Sequence, residues 1–340
     1  MSRARQARWV FVVCLAAGVL FAGCARQRPV GPGQANVPAP GVERQKPKVA
    51  FVMKTLTNPF FLTMEKGARA AAQEVGVELK VQTPAEETDI DKQIAVVEDL
   101  IPTGIKVLCI APAGSKEIVP CLVEAKRAGV YVINIDNEVD EQAAEKAGLK
   151  LDSYVGVDNE EGGYMSSQYL AKLMGGRGKV AMLEGIPTVD NAEARKRGFE
   201  KAMKEYPGIT IVASQTAHWK QEEALNVMAD ILQKNPDLNG LFCANDMMAL
   251  GAIQAIEDAG KTGRVYVTSY DNLEAAQEEI RKGRLHATID QHPELMGKYG
   301  VEYAAKLIQG GTIPKRKLVP LDLITKEMLE KAATTARAGK

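Results

Sequence analysis

The sequence predicts an α/β protein of two lobes, each built on a parallel sheet. Three observations lead there. Short apolar runs alternate with amphipathic stretches along most of the chain, the rhythm of parallel sheets made from strand–helix–strand units. Residues 47–340 exceed the usual single-core domain of about 100–150 residues, so two lobes are expected. The residues just after the apolar runs are rich in Asn, Asp, Gln and aromatics, and open α/β sheets bind ligands beyond the carboxyl ends of their strands.

Taken in order, the first series of apolar runs predicts strands at Val49–Met53, Glu78–Gln82, Val107–Ile110, Val130–Ile135 and Tyr154–Val157. A second series predicts Val180–Leu183, Ile209–Ser214, Gly240–Cys243, Val265–Ser269 and Ala287–Ile289. Between them lie expected helices. Phe60–Val75 is Ala-rich and apolar on one face. Asp89–Thr103 carries Ile90, Ile94, Val97 and Ile101 at helical spacing. Gly162–Met174, Asn191–Glu205, Lys220–Lys234, Asp246–Ala259 and Leu273–Lys282 follow, and Cys121 falls in a further helical stretch. Right-handed crossovers then place helices on both faces of each sheet.

The N-terminal segment reads as targeting. Arg3, Arg5 and Arg8 precede an apolar run from Trp9 to Phe21, shorter than the roughly 20 residues that span a bilayer. Small residues Ala22 and Gly23 then lead directly to Cys24, the layout of a secretory signal. That boundary resembles a bacterial lipobox, with Phe21 where such boxes usually carry Leu. The resemblance implies that residues 1–23 are removed and that Cys24 carries lipid; an ordinary cleaved signal or an uncleaved anchor are the alternatives. Residues 24–46, rich in Pro, Gly and Gln, are expected to form a flexible tether.

Composition excludes several functions. Lys+Arg and Asp+Glu number 43 each; a neutral balance without a basic patch argues against nucleic acid as a partner. The 5 cysteines and 3 histidines show no CxxC and no metal-ligand spacing, so no metal and no cofactor are expected. No Ser-His-Asp arrangement, phosphate-cradling P-loop or GxGxxG follows a strand, and Gly175-Gly176-Arg177-Gly178 precedes one instead. The chain is expected not to be an enzyme and to act as a monomer.

What the strand ends do hold is hydroxyl chemistry. Asn58-Pro59-Phe60-Phe61 follows the first strand, and Tyr270-Asp271 follows a strand far downstream. Amides and carboxylates bond hydroxyls, and flat rings cover C–H faces at low entropic cost. Simpler roles compete: Asn58 and Asn245 can cap helices, Phe60 and Phe61 can be core, and Tyr270 can merely wall a site. Asp158 and Asn159 can be hinge or cap residues as readily as ligand contacts.

Over roughly residues 47–327 the chain resembles the periplasmic binding proteins of the ribose/galactose-binding type, the substrate-binding components of sugar ABC transporters. The markers are Asn58–Phe61, the strand ending in Asp136, Arg195-x-x-Gly198-Phe199, Gly240–Gly251 with Asn245-Asp246, Tyr270-Asp271 and Thr288–Gln291. The resemblance implies two Rossmann-like lobes joined by three hinge crossings. Residues 47–157 plus 292–320 would form the first lobe and 158–291 plus 321–330 the second, with 331–340 as a tail. It implies a monosaccharide or polyol bound between closing lobes by Asn58, Phe60, Phe61, Asp136, Asn137, Asp158, Arg195, Trp219, Asn245, Tyr270, Asp271 and Gln291. An ABC permease is the implied partner, and the protein itself would work in the periplasm or at the outer face of the cell membrane, anchored through Cys24. A sugar-sensing receptor that presents its closed state to a membrane kinase or chemoreceptor is the alternative. Two departures argue against ribose: the ribose binders carry Asn where this chain has Ala111 and Arg where it has Asn137.

Overall fold

The computed structural model describes residues 46–338. The signal, most of the tether and Cys24 lie outside the described residues. The first sheet joins β1 (Lys48–Val52), β2 (Glu78–Gln82), β3 (Val107–Ile110), β4 (Tyr131–Ile135), β5 (Ser153–Gly156) and β11 (Arg316–Leu318) in the order β11-β5-β4-β3-β1-β2. The second joins β6 (Arg177–Glu184), β7 (Gly208–Thr216), β8 (Gly240–Cys243), β9 (Tyr266–Thr268), β10 (Ala287–Asp290) and β12 (Asp322–Thr325) in the order β12-β10-β9-β8-β6-β7. All pairings are parallel except β12, which runs antiparallel to β10 at the sheet edge.

The central strands are buried on both faces, which their unbroken apolar runs require. Alternation then sorts side chains between the two helix layers. Ala50, Val52, Leu108 and Ile110 pack with Val97 of α2 (Ile90–Leu100) and Leu122 of α3 (Val119–Arg127). Phe51, Cys109, Ile133 and Ile135 face Met64 and Ala68 of α1 (Pro59–Val75) and Val301 of α10 (Pro293–Ile308). In the second lobe, α5 (Asn159–Leu173) and α6 (Asp190–Lys204) cover one face, while α7 (Gln221–Lys234), α8 (Asp246–Asp258) and α9 (Glu274–Lys282) cover the other.

The chain passes from one sheet to the other three times: between β5 and α5, between β10 and α10, and between β11 and β12. Several elements were not expected from periodicity. The long helix expected at Asp89–Thr103 ends at Leu100 and turns into a 3₁₀ segment, Ile101–Thr103, because Pro102 cannot donate the next helical bond. The short α4 (Glu141–Lys146), the edge strands β11 and β12, and the terminal α11 (Lys326–Ala338) carry too few apolar residues to announce themselves.

Candidate functional site

A narrow polar cavity lies where the two lobes meet, at the carboxyl ends of both sheets. Lys54, Asn58, Phe60, Phe61, Glu87 and Asp136 line it from the first lobe, with Asn191, Arg195, Trp219, Asn245, Asp271 and Gln291 from the second. In the first lobe the turn after β1 sets the wall. Asn58 caps α1, its Oδ1 accepting from the Phe60 N–H at 3.0 Å, and Pro59 at the first helical position costs no bond. That fixes Phe60 and Phe61 edge-to-face, ring centres 5.1 Å apart. The other end of the Asn58 amide donates to Glu87 Oε1 at 3.0 Å. Asn58 is therefore both a cap and a cavity residue.

The charges are buried and interlocked. Lys54 is only 2% exposed, and its Nζ lies 3.8 Å from Asp136 Oδ2. Burial raises the Asp136 carboxyl above its ordinary value, and Lys54 and then Arg195 pull it back. Glu87 is likewise raised by burial against Lys54 and the Asn58 amide. Across the cavity, Arg195 donates from Nε to Asn159 Oδ1 at 2.9 Å and from a terminal nitrogen to the Ala244 carbonyl at 2.8 Å. Its guanidinium lies 3.7 Å from Asp271 Oδ1, which also accepts from Gln291 Nε2 at 2.7 Å. Desolvation pushes Asp271 well above its usual range, with Arg195 opposing.

Backbone geometry aims these groups. Asp136, Trp219 and Asp271 have φ of 64°, 65° and 117°. Such conformations cost non-glycine residues roughly 1–3 kcal/mol each and concentrate at functional sites. Trp219 also requires Gly185, because a Cβ there would collide with the indole ring. Gly163 and Gly198 let α5 and α6 touch backbone to backbone beside Arg195. Asn245 caps α8, accepting from the Met248 N–H at 2.9 Å. Among the described residues, Asn191 Oδ1 and Trp219 Nε1 are buried cavity-wall atoms without a hydrogen-bond partner. One accepts and the other donates, the complementary pair of roles that a hydroxyl can fill.

Three residues expected at the ligand stand elsewhere. Asp158 is exposed and caps α5, accepting from the Glu161 N–H at 3.0 Å. Tyr270 is fully buried beneath the Arg195 guanidinium, 3.6 Å from it, with its hydroxyl unpartnered. Like its neighbour Asp271 it contacts Arg195, but through its ring face and outside the cavity lining. Asn137 is buried outside the cavity; its amide donates to the Pro112 carbonyl at 3.0 Å and Ser115 Oγ at 3.1 Å. Conversely, Lys54, Glu87 and Asn191 were missed. Lys54 stands two residues past the buried strand β1, which was the available signal; Glu86-Glu87 reads as a solvated charge pair.

Comparison with known proteins agrees with this geometry. A family profile described as the periplasmic binding protein domain matches residues 49–312. The D-ribose/D-allose-binding protein of Pseudomonas aeruginosa is 39% identical over 319 residues, covering 92% of this chain and 97% of that protein. The D-allose-binding periplasmic protein of Escherichia coli is 35% identical over 283 residues, covering 81% and 91%. A solved ABC transporter periplasmic solute binding protein from Actinobacillus succinogenes with bound D-allose superposes with a TM-score of 0.81 at 42% identity, covering 84% of this chain and all of that one. With two such lobes meeting at one polar cavity, the chain belongs to the periplasmic binding protein family, in its type I form.

Proposed function

We propose that the protein captures a monosaccharide between its two lobes, without chemistry, and delivers it to an ABC permease. The observation that carries this reading is the cavity wall itself. Three aromatic side chains, Phe60, Phe61 and Trp219, share it with paired charges from both lobes and two unpartnered buried polar atoms. This wall suits a compact ligand with hydroxyls around its edge and C–H groups on its faces. Closure of the lobes would bury the sugar and shift the population toward the form a permease recognises.

Within that class we favour an aldohexose, with D-allose as first candidate, since it is named for each of the three relatives above, with D-ribose beside it for the first; ribose is the poorer fit to this wall. Lys54, Glu87 and Asn191 add polar partners to the residues read from sequence. A hexose has one hydroxyl more than a pentose to satisfy them. A buried partner left unpaired costs roughly 1–3 kcal/mol. Cys24 as the lipid-bearing first residue of the mature protein completes the proposal and would hold the receptor at the outer face of the membrane. Titration calorimetry of the purified protein against D-allose, D-ribose and D-galactose tests the ligand. Micromolar binding of D-allose, about −8 kcal/mol, with ribose at least tenfold weaker, is expected; equal affinities would remove the hexose preference. A sugar converted to product during the titration would sink binding without chemistry.

A further inference from the structure

Helix α6 carries both Asn191 and Arg195 into the cavity, yet it begins without a cap of its own. Its N-cap residue is Val189, which has no side-chain acceptor. The Ala192 and Glu193 amides bond back to the Val189 carbonyl at 3.1 Å each. That leaves the Asp190 and Asn191 amides, the first two of the helix, to find partners elsewhere. Both find them on the opposite lobe. Asp190 N–H donates to Ser115 Oγ at 3.0 Å, and Asn191 N–H donates to Asn137 Oδ1 at 3.1 Å. Ser115 follows β3 and Asn137 follows β4, so both belong to the first sheet. They are 2% and 0% exposed and are bonded to each other at 3.1 Å.

We propose that Ser115 and Asn137 are positioning residues that cap α6 across the cleft, so that the cap exists only when the lobes are closed. The inference rests on the reading of the protein as a closing sugar receptor and adds what holds it closed. Asn137 occupies the position where the ribose binders carry Arg, and here it has left the sugar to the other residues and taken hold of the opposing helix. Closure then completes α6 at the moment when Asn191 and Arg195 meet the ligand. A further direct link between the lobes near the cavity, Lys220 with Glu86 at 2.7 Å, is solvent-exposed and contributes little. The two buried caps set how long the closed state lasts.

A proline tests this. Proline is well tolerated at the first helical position, and Val189 before it is already extended at φ −83° and ψ 128°. Asp190→Pro therefore deletes the donor to Ser115 without harming the helix, while Asp190→Ala keeps that donor and serves as its reference. The proline ring also faces the Ser115 hydroxyl, a crowding that Ser115→Ala on the same background relieves, so a gain of affinity there would assign the loss to crowding and overturn the capping. D-allose is the probe, with affinity from calorimetry and rates from stopped-flow fluorescence. Asp190→Pro is expected to bind about five- to tenfold more weakly than Asp190→Ala, mainly through faster release, with equal melting temperatures in the absence of sugar. Ser115→Ala should lose a similar factor alone but nothing further on the Asp190→Pro background, and Ser115→Thr should restore binding. Equal affinities of the two Asp190 variants, additive losses, or a matching fall in sugar-free melting temperature would overturn the capping. Failure of the wild-type protein to bind any of D-allose, D-ribose and D-galactose would overturn the sugar reading and the inference with it.

Discussion

The Arg195 guanidinium lies 3.6 Å from the Tyr270 ring, and that ring lies beneath it rather than in the cavity. The tyrosine acts as a plate that fixes the plane of the arginine while Asn159, the Ala244 carbonyl and Asp271 fix its direction. Removing the Tyr270 hydroxyl deletes a buried group without a partner. Tyr270→Phe is accordingly expected to keep sugar affinity within about twofold and to melt no lower than wild type, since an unmade hydrogen bond cannot be lost. Arg195→Lys keeps charge but loses the planar fork and should weaken binding at least about tenfold. Calorimetry and thermal melts read both.

Asp136 and Trp219 come from opposite lobes onto one cavity. Asp136→Ala and Trp219→Ala should each weaken sugar binding by at least about tenfold. Their stabilities should differ. Asp136→Ala strips Lys54 of its paired carboxylate and should cost up to about 3 kcal/mol. Adding Lys54→Met should recover much of that stability but none of the affinity. Urea melts set beside titrations separate the two effects.

Asp190 supplies a pH prediction. Burial, then the nearby Glu138 carboxylate, raises its carboxyl from 3.8 to about 6, with Arg197 and Arg316 opposing and Asp140 adding to the rise. Between those values the folded protein keeps a proton that the unfolded chain has shed. The contribution to stability is therefore complete below 3.8 and lost as pH rises through 6. Asp190→Asn should be more stable than wild type at pH 7, with the advantage shrinking to nothing near pH 4. Melting temperatures of the two proteins across that range check the sign.

Gly198 lies against the Glu160 carbonyl so closely that a Cβ would collide with backbone. Gly198→Ala must push α6 away from α5, at a cost of roughly 1–3 kcal/mol. Because Arg195 is on the same helix, sugar affinity should fall with stability. A circular-dichroism melt and a titration on the same sample suffice.

Cys24→Ala tests the anchor. The wild-type protein should partition with membranes and carry lipid at its mature N-terminus by mass spectrometry, while the variant should be found in the soluble fraction. An unlipidated wild-type protein of the same mature length would remove the anchor from the proposal.

The fold was legible because its signals are strong and local. Unbroken apolar runs such as Val107–Ile110 announce buried parallel strands, and Asn-Pro before Phe60 announces a helix start. The site was less legible where function depends on direction rather than identity. Tyr270 and Asp271 both follow a strand, but the turn there departs from strand geometry, with Asp271 at a φ of 117°, and only Asp271 reaches the cavity while the Tyr270 ring lies against Arg195. Asn137 lay beside Asp136 in sequence and bonded the other lobe instead. Glu87 was hidden because its partners Asn58 and Lys54 are contributed by a distant turn.

The three passages between sheets also dictate an order of events in the making of the protein. The edge strand β11 and the covering helix α10 of the first lobe come after the entire second sheet series through β10. Synthesis proceeds from the N-terminus and domains tend to fold as units once complete. Here neither lobe is complete until nearly the whole chain has been made: the first lacks its last strand until Leu318, and the second until Thr325. The nascent polypeptide therefore stays without a finished core for most of its synthesis, the condition in which a chain can still be threaded through a membrane channel.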